Sequence, residues 1–200
     1  TEATGRGIEE VIREFFRNEE ELKKAKLNEN LKDNRIVIQG FGNVGRHLAY
    51  ELYNRDNAKI IAIGEYNGIL YNKNGIDINK LIECVLFKKT IENNELGKFI
   101  RNPKEIVEVE CDILVPAALE GVINKDNVEK VKTKLIVEAA NGPIDPASDK
   151  ILFNKGVTVL PDIYVNAGGV VVSYFEWVKN LSHIRFGRME KRYQEHKLLE

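Results

Sequence analysis

Three glycines at fixed spacing, in Gly40-Phe41-Gly42-Asn43-Val44-Gly45, spell the pattern G-x-G-x-x-G. They leave the β-branched run Ile36-Val37-Ile38 and enter a segment with helical spacing through Val44, Leu48, Leu52 and Tyr53. In that setting each glycine has its own task. Gly40 permits a tight turn, Gly42 lets backbone approach a diphosphate, and Gly45 lets the helix pack close on the strand. Free N–H groups at the start of the helix, around Asn43 and Val44, then face the phosphates. The string is short, so the strand before it and the helix after it carry the inference. A tight strand-to-helix turn without a ligand is the plainer alternative.

Glu65 closes the next apolar run, Ile61-Ala62-Ile63-Gly64, near the spacing of about 20 residues expected of a ribose-binding carboxylate. There it would accept hydrogen bonds from the adenosine ribose of NAD and repel the extra phosphate of NADP. NADP stays open as a coenzyme if a neighbouring Lys or Arg offsets that charge. Two further segments sit at strand ends. Pro116-Ala117-Ala118 follows Ile113-Leu114-Val115, and Asn141 follows Leu135-Ile136-Val137 after a short interval. The carboxyl edge of such a sheet is where ligands bind. An amide that both donates and accepts suits a nicotinamide ribose or carboxamide. Pro116 also suffices as a plain strand terminator, and Asn141-Gly142 as a common turn pair.

The elements that must position these residues read as short apolar strands alternating with helices. Positions Ile8, Val11, Ile12, Phe15, Phe16 and Leu22 predict one leading helix that ends near Asn28–Asn30. Lys59–Ile63 reads as a second buried strand, and Ile69-Leu70-Tyr71, between Asn67-Gly68 and Asn74-Gly75, as a hairpin-like excursion. Asp77 reads as the cap of a helix carrying Ile78, Leu81, Ile82 and Val85. The polar stretch 88–105 reads as loop. Strands Ile113–Val115, Leu135–Val137 and Val157–Leu160 follow, separated by helices, and a last helix starts near Ala167. Continuously apolar strands of this kind belong to a mostly parallel sheet covered on both faces. The predicted class is α/β, Rossmann-like and doubly wound. Residues 1–30 form a leading helix, 31–165 the core and 166–200 a C-terminal helix, all in one NAD(P)-binding domain.

Composition narrows the function from outside. Thirty Lys+Arg against 31 Asp+Glu leave a net charge of −1 over 200 residues, with no basic excess for nucleic acid or anionic lipid. No apolar run approaches a membrane span of about 18 residues. Cys84 and Cys111, far apart and outside any CxxC, read as small packing residues in a reducing compartment, by default the cytoplasm. His47, His183 and His196 show no ligand spacing, so no metal is expected. Phe175 and Trp177 read as packing aromatics of the last helix.

Five separated stretches together resemble the glutamate/leucine/phenylalanine/valine dehydrogenase family, and most closely its glutamate-acting members. They are TEATGRG (1–7), VIQGFGNVG (37–45), CDILVPAALEGVI (111–123), VEAANGPIDP (137–146) and VLPDIYVNAGGVVVSYFEWVKN (159–180). The resemblance covers the coenzyme-binding domain and implies roles residue by residue. Gly40, Phe41, Gly42, Asn43, Val44 and Gly45 would form the dinucleotide turn, Glu65 the ribose acceptor, and Ala117 and Ala118 a backbone lining of the cleft. Thr4, Asn141 and Asn166 would face the nicotinamide, although Thr4 and Asn166 also suit helix caps. Ser173 would bond the side-chain carboxylate of L-glutamate or 2-oxoglutarate, with Arg6 near the same pocket. Its alternative is a helix serine bonding back to a carbonyl.

The reaction so implied is reversible oxidative deamination: L-glutamate, NAD and water give 2-oxoglutarate, ammonia and NADH. Its lysine and acid/base carboxylate are expected in a preceding domain, so no catalytic residue is assigned within these residues. The chain opens at Thr1 and is expected to be a piece of a longer protein, one that assembles as a homo-hexamer. A leucine-, phenylalanine- or valine-acting relative is the first alternative, disfavoured by the SYFEW run around Ser173. A non-catalytic NAD-sensing module is the second.

Overall fold

Ile36, Val37 and Ile38 are all fully buried, because the strand they form is the centre of a sheet covered on both faces. The computed structural model describes residues 2–93 and 95–182. In chain order the first half runs α1 (Ala3–Phe16), α2 (Glu19–Ala25), β1 (Arg35–Gln39), α3 (Asn43–Asp56), β2 (Lys59–Glu65), β3 (Gly68–Tyr71), α4 (Ile78–Lys88) and β4 (Lys98–Ile100). The second half runs β5 (Ile113–Pro116), β6 (Leu135–Val137), α5 (Pro146–Asn154), β7 (Thr158–Leu160), α6 (Asp162–Val165) and α7 (Ala167–Ser182). The seven strands lie in the order β4-β3-β2-β1-β5-β6-β7. Strand β1 is parallel to β2 and β5, and β6 and β7 continue the parallel half, while at the other edge β3 runs antiparallel to both of its neighbours, β2 and β4. This is the expected Rossmann-like class.

Alternation along β1 divides the core in two. Ile36 and Ile38 pack with Ile8 and Ile12 of α1 and with Leu48 and Leu52 of α3. Val37 faces the other way, into a cluster with Leu114, Ile106, Val128 and Leu152. Helix α1 also meets α7 at very close range. A Cβ built on Gly7 would come within 3.2 Å of the Gly168 Cα, and one on Gly168 within 3.2 Å of the Gly7 Cα. The two helices therefore cross backbone on backbone, with no side chain between them.

Several local expectations change. The leading helix is two helices: it runs from Ala3 and breaks after Phe16. Asn18 is the cause, since its side chain accepts from Glu20 N at 3.1 Å and Glu21 N at 3.2 Å and so starts a new helix. The stretch read as loop contains β4, whose Ile100, Phe99 and Lys98 pair with Ile69, Leu70 and Tyr71. Between β5 and β6 the connection holds only a 3₁₀ turn at Val128–Lys130 instead of an α-helix. Phe175 and Trp177 are 54% and 58% exposed, so they do not pack into this core; Tyr174 meets both rings. Asp77 does cap α4, accepting from Lys80 N at 3.1 Å. Cys84 and Cys111 are both buried and free, and burial pushes the Cys111 thiol up to about 12. His183, His196 and the rest of the expected C-terminal segment, residues 183–200, lie outside the described residues.

Candidate coenzyme site

Strand β1 has β2 on one side and β5 on the other, so the chain changes direction across the sheet between β1 and β5. A doubly wound sheet opens its ligand crevice at such a point, outside the carboxyl ends of the strands. Here the turn after β1 meets the turn after β5. Gly40 sits at φ +98°, a conformation that side-chain-bearing residues rarely adopt, and a Cβ there would lie 2.7 Å from the Ala118 Cβ. A Cβ on Gly45 would collide with the Gly40 carbonyl oxygen, whereas one on Gly42 would meet nothing within 4 Å. The first and third glycines are thus required by packing, and the second faces open space. Helix α3 begins at Asn43, and Arg46 N is the first amide to close a helical bond, to Gly42 O at 2.9 Å. The amides of Asn43, Val44 and Gly45 precede it and have no helical acceptor.

Glu65 ends β2 beside this turn. Its Oε1 accepts from the Phe41 N–H, which ties the carboxylate to the glycine loop. Phe41 itself differs from the expectation of a free coenzyme contact: its ring is buried in the core and its amide is taken by Glu65. Glu65 lies outside the lining of the main cleft, which spreads from Val44, Ala117 and Ala118 toward the other helices.

That cleft measures about 940 Å³ and brings together Thr4, Val44, Ala117, Ala118, Asn141, Asn166 and Ser173. Pocket volumes of 300–1,000 Å³ are typical of cofactor sites. Asn166 Nδ2 donates to Asn141 Oδ1 at 2.6 Å, so the two amides form one polar group, and the Asn166 side chain reaches the cleft instead of closing on its own helix. Thr4 lies in the first turn of α1 and does not cap it, since Glu2 occupies the cap position. Its hydroxyl abuts Gly169, where an added Cβ would overlap it. Ser173 lines the cleft, but its hydroxyl donates back to Gly169 O at 3.0 Å. Arg6 is not among the lining residues. Its Nε lies 4.0 Å from Glu51 Oε1 on α3, because α1 turns that side chain toward α3.

Two acidic residues overlooked in the sequence, Glu138 and Asp162, brace the loop carrying Asn141 from outside the cleft lining. Glu138 is only 8% exposed; its Oε2 accepts from Asp162 N at 3.0 Å. Burial raises the Glu138 pKa, the bond from Asp162 N opposes that, and the charges of Asp162 and Asp149 add to the rise. Asp162 Oδ2 in turn accepts from Gly142 N at 2.8 Å. The acid-amide spacing 138–141 and 162–166 was the available signal. Among the described residues no cluster of His, Cys, Asp and Glu could hold a metal ion, and no described helix is long and apolar enough to cross a membrane.

Sheet order and glycine turn together define a Rossmann-like α/β domain with its cleft at the switch point. The family model "Glutamate/Leucine/Phenylalanine/Valine dehydrogenase" matches residues 1–197, and the chain belongs to that family. It is 49% identical over 195 residues to a mitochondrial glutamate dehydrogenase of Dictyostelium discoideum, covering 98% of this chain and 39% of that protein. A probable glutamate dehydrogenase of Sinorhizobium fredii is 45% identical over 196 residues, covering 97% and 44% respectively. Among solved structures, the hetero-hexameric glutamate dehydrogenase of Thermus thermophilus in its leucine-bound form superposes with a TM-score of 0.78. The identity is 27%, with 96% of this chain and 43% of that chain covered. The chain therefore spans about two-fifths of the length of these relatives.

Proposed function

We propose that this chain is the coenzyme-binding domain of an NAD(P)-dependent glutamate dehydrogenase, that it takes NAD ahead of NADP, and that the longer protein is a homo-hexamer. The observation that carries this reading is the glycine turn at the switch point, with Gly42 open to approach and Glu65 held beside it. The donor set suits a dinucleotide. Backbone amides of Asn43, Val44 and Gly45 would hold the diphosphate, and Glu65 Oε2 the adenosine ribose. The Asn141–Asn166 pair and Thr4 would hold the nicotinamide end. The coenzyme, when bound, supplies the hydride exchange; the chain's own part is to bind and orient it. Ser173 would take the substrate's side-chain carboxylate, and to do so its hydroxyl must leave Gly169 O. The buried free thiols suit a reducing compartment, and the cytoplasm is the location we propose.

Replacement of Glu65 separates charge from loop support. Glu65→Gln keeps an acceptor for the Phe41 amide but loses the charge. It should weaken NADH binding several-fold while leaving NADPH binding unchanged or tighter, by calorimetric titration of each coenzyme. Glu65→Ala should weaken both, NADH more. Equal losses for the two coenzymes in both variants would remove Glu65 from the ribose.

Deamination also needs a lysine of lowered pKa and a carboxylate to move protons. Among the described residues lining the cleft there is no lysine, and the carboxylates are Glu120 and Glu176. The chain by itself should therefore bind NADH, read by enhanced coenzyme fluorescence, and show no glutamate-dependent NADH formation. Robust turnover by these 200 residues would refute that division of labour.

A further inference from the structure

Asp162 touches both segments that carry the cleft asparagines. Its Oδ2 accepts from the amide of Gly142, next to Asn141, at 2.8 Å. Its own carbonyl accepts from the amide of Asn166 at 3.0 Å. Asp162 is seated in turn by Glu138, whose buried Oε2 accepts the Asp162 amide at 3.0 Å, while the Glu138 amide donates to Leu160 O at 3.1 Å. On the opposite side the amides of Ala139 and Ala140 both bond Pro116 O, at 3.0 and 2.9 Å. The loop carrying Asn141 is therefore slung between β5 and Asp162, and only the Asp162 side also reaches Asn166.

We propose that Asp162, seated by Glu138, is a positioning residue that sets the Asn141–Asn166 amide pair at the orientation in which it meets the nicotinamide riboside half of the coenzyme. This rests on the coenzyme reading above. The physical case is one of geometry. Two exposed amides bonded only to each other can swing together; fixing the backbone amide beside one and behind the other leaves them one arrangement. The bond from Gly142 N to Asp162 is charge-assisted, the strongest class available to a backbone amide. Pre-setting a polar pair this way removes an ordering cost at the moment of binding.

The test compares two ligands, NADH and ADP, by titration calorimetry on this chain. ADP keeps the adenosine and diphosphate but lacks the nicotinamide riboside, so it reports the glycine turn and Glu65 alone. Asp162→Ala should lower NADH affinity roughly tenfold and leave ADP affinity within about twofold of the parent. Asp162→Asn, which keeps an oxygen to accept Gly142 N–H, should recover most of the loss. Glu138→Ala and Glu138→Gln should repeat the pattern one bond further out, and they carry the comparison if Asp162→Ala fails to fold. A general structural role would lower NADH and ADP together and would deny rescue by the amide variants; either result overturns the proposal. If the parent chain binds neither NADH nor ADP, the coenzyme reading falls and takes this inference with it. Parent binding of both ligands with unchanged NADH affinity in Asp162→Ala overturns the positioning role alone.

Discussion

Gly45→Ala is expected to destabilise the fold by about 3 kcal/mol, read as a large drop in the urea midpoint. An added methyl would run into the Gly40 carbonyl oxygen, a backbone atom in a turn already held at φ +98° against Ala118. Neither partner can rotate aside, so α3 must lift from β1. Leu48 and Leu52, both fully buried, would lift with it. Gly42→Ala provides the contrast within the same motif. Its backbone is extended at φ −73° and ψ −156°, which alanine tolerates, and nothing lies within 4 Å of the new Cβ. Stability should stay within about 0.5 kcal/mol, while NADH affinity falls at least tenfold because the methyl occupies the diphosphate's approach. A Gly45→Ala protein as stable as the parent would contradict the packing argument. A Gly42→Ala protein that binds NADH normally would move the diphosphate elsewhere.

The second large effect is a dependence of stability on pH carried by Glu9. This residue is 0% exposed at the contact of α1 with α3. Burial pushes its pKa from 4.5 to about 7; Arg55 and Arg13 pull the other way, and Asp56 and Glu10 add to the rise. The folded value lies above the unfolded one, so the fold prefers the protonated acid. The stability Glu9 contributes is complete below pH about 4.5 and is lost as pH rises to about 7, at up to ~1.4 kcal/mol per pH unit within that window. Asp112 acts in the opposite sense and in another window. Burial raises its pKa, but bonds from the Arg35 backbone, the Arg35 side chain and Lys134 outweigh burial, so its stabilisation is lost only on acidification through the low carboxylate range.

Glu9→Gln should therefore flatten the stability profile between pH about 4.5 and 7 and be at least as stable as the parent above it. The arginines would keep partners, since Arg55 Nη1 also lies 3.6 Å from Glu51 Oε2 and Arg13 Nε 3.4 Å from Asp56 Oδ1. Chemical denaturation at several pH values provides the measurement. Parallel profiles for parent and variant would assign the pH dependence to other groups.

The glycine turn, β1 and α3 were readable because a positive φ at Gly40 and a backbone contact at Gly45 demand glycine at fixed spacing between an apolar strand and a helix. The position of Glu65 at the end of β2, beside that turn, was readable from its place after an apolar run. What escaped was decided by partners distant in the chain. Strand β4 is three residues long and exists because Leu70 and its neighbours offer it an edge. Glu138 and Asp162 look like ordinary surface acids until β6 and β7 pair and bring them together. The direction of Arg6 depends on how α1 lies against α3, which no local pattern encodes. Phe175 and Trp177 are large aromatics on a helix, yet residue type alone does not say whether a surface to receive them lies among the described residues.

The close crossing of α1 and α7 has a mechanical meaning. Glycines at 7 and 168 leave no compressible side chain at the crossing point, so the pair transmits displacement without slack. Thr4 on one helix and Ser173 on the other both line the cleft, so this crossing sets the spacing between the two hydroxyl-bearing turns.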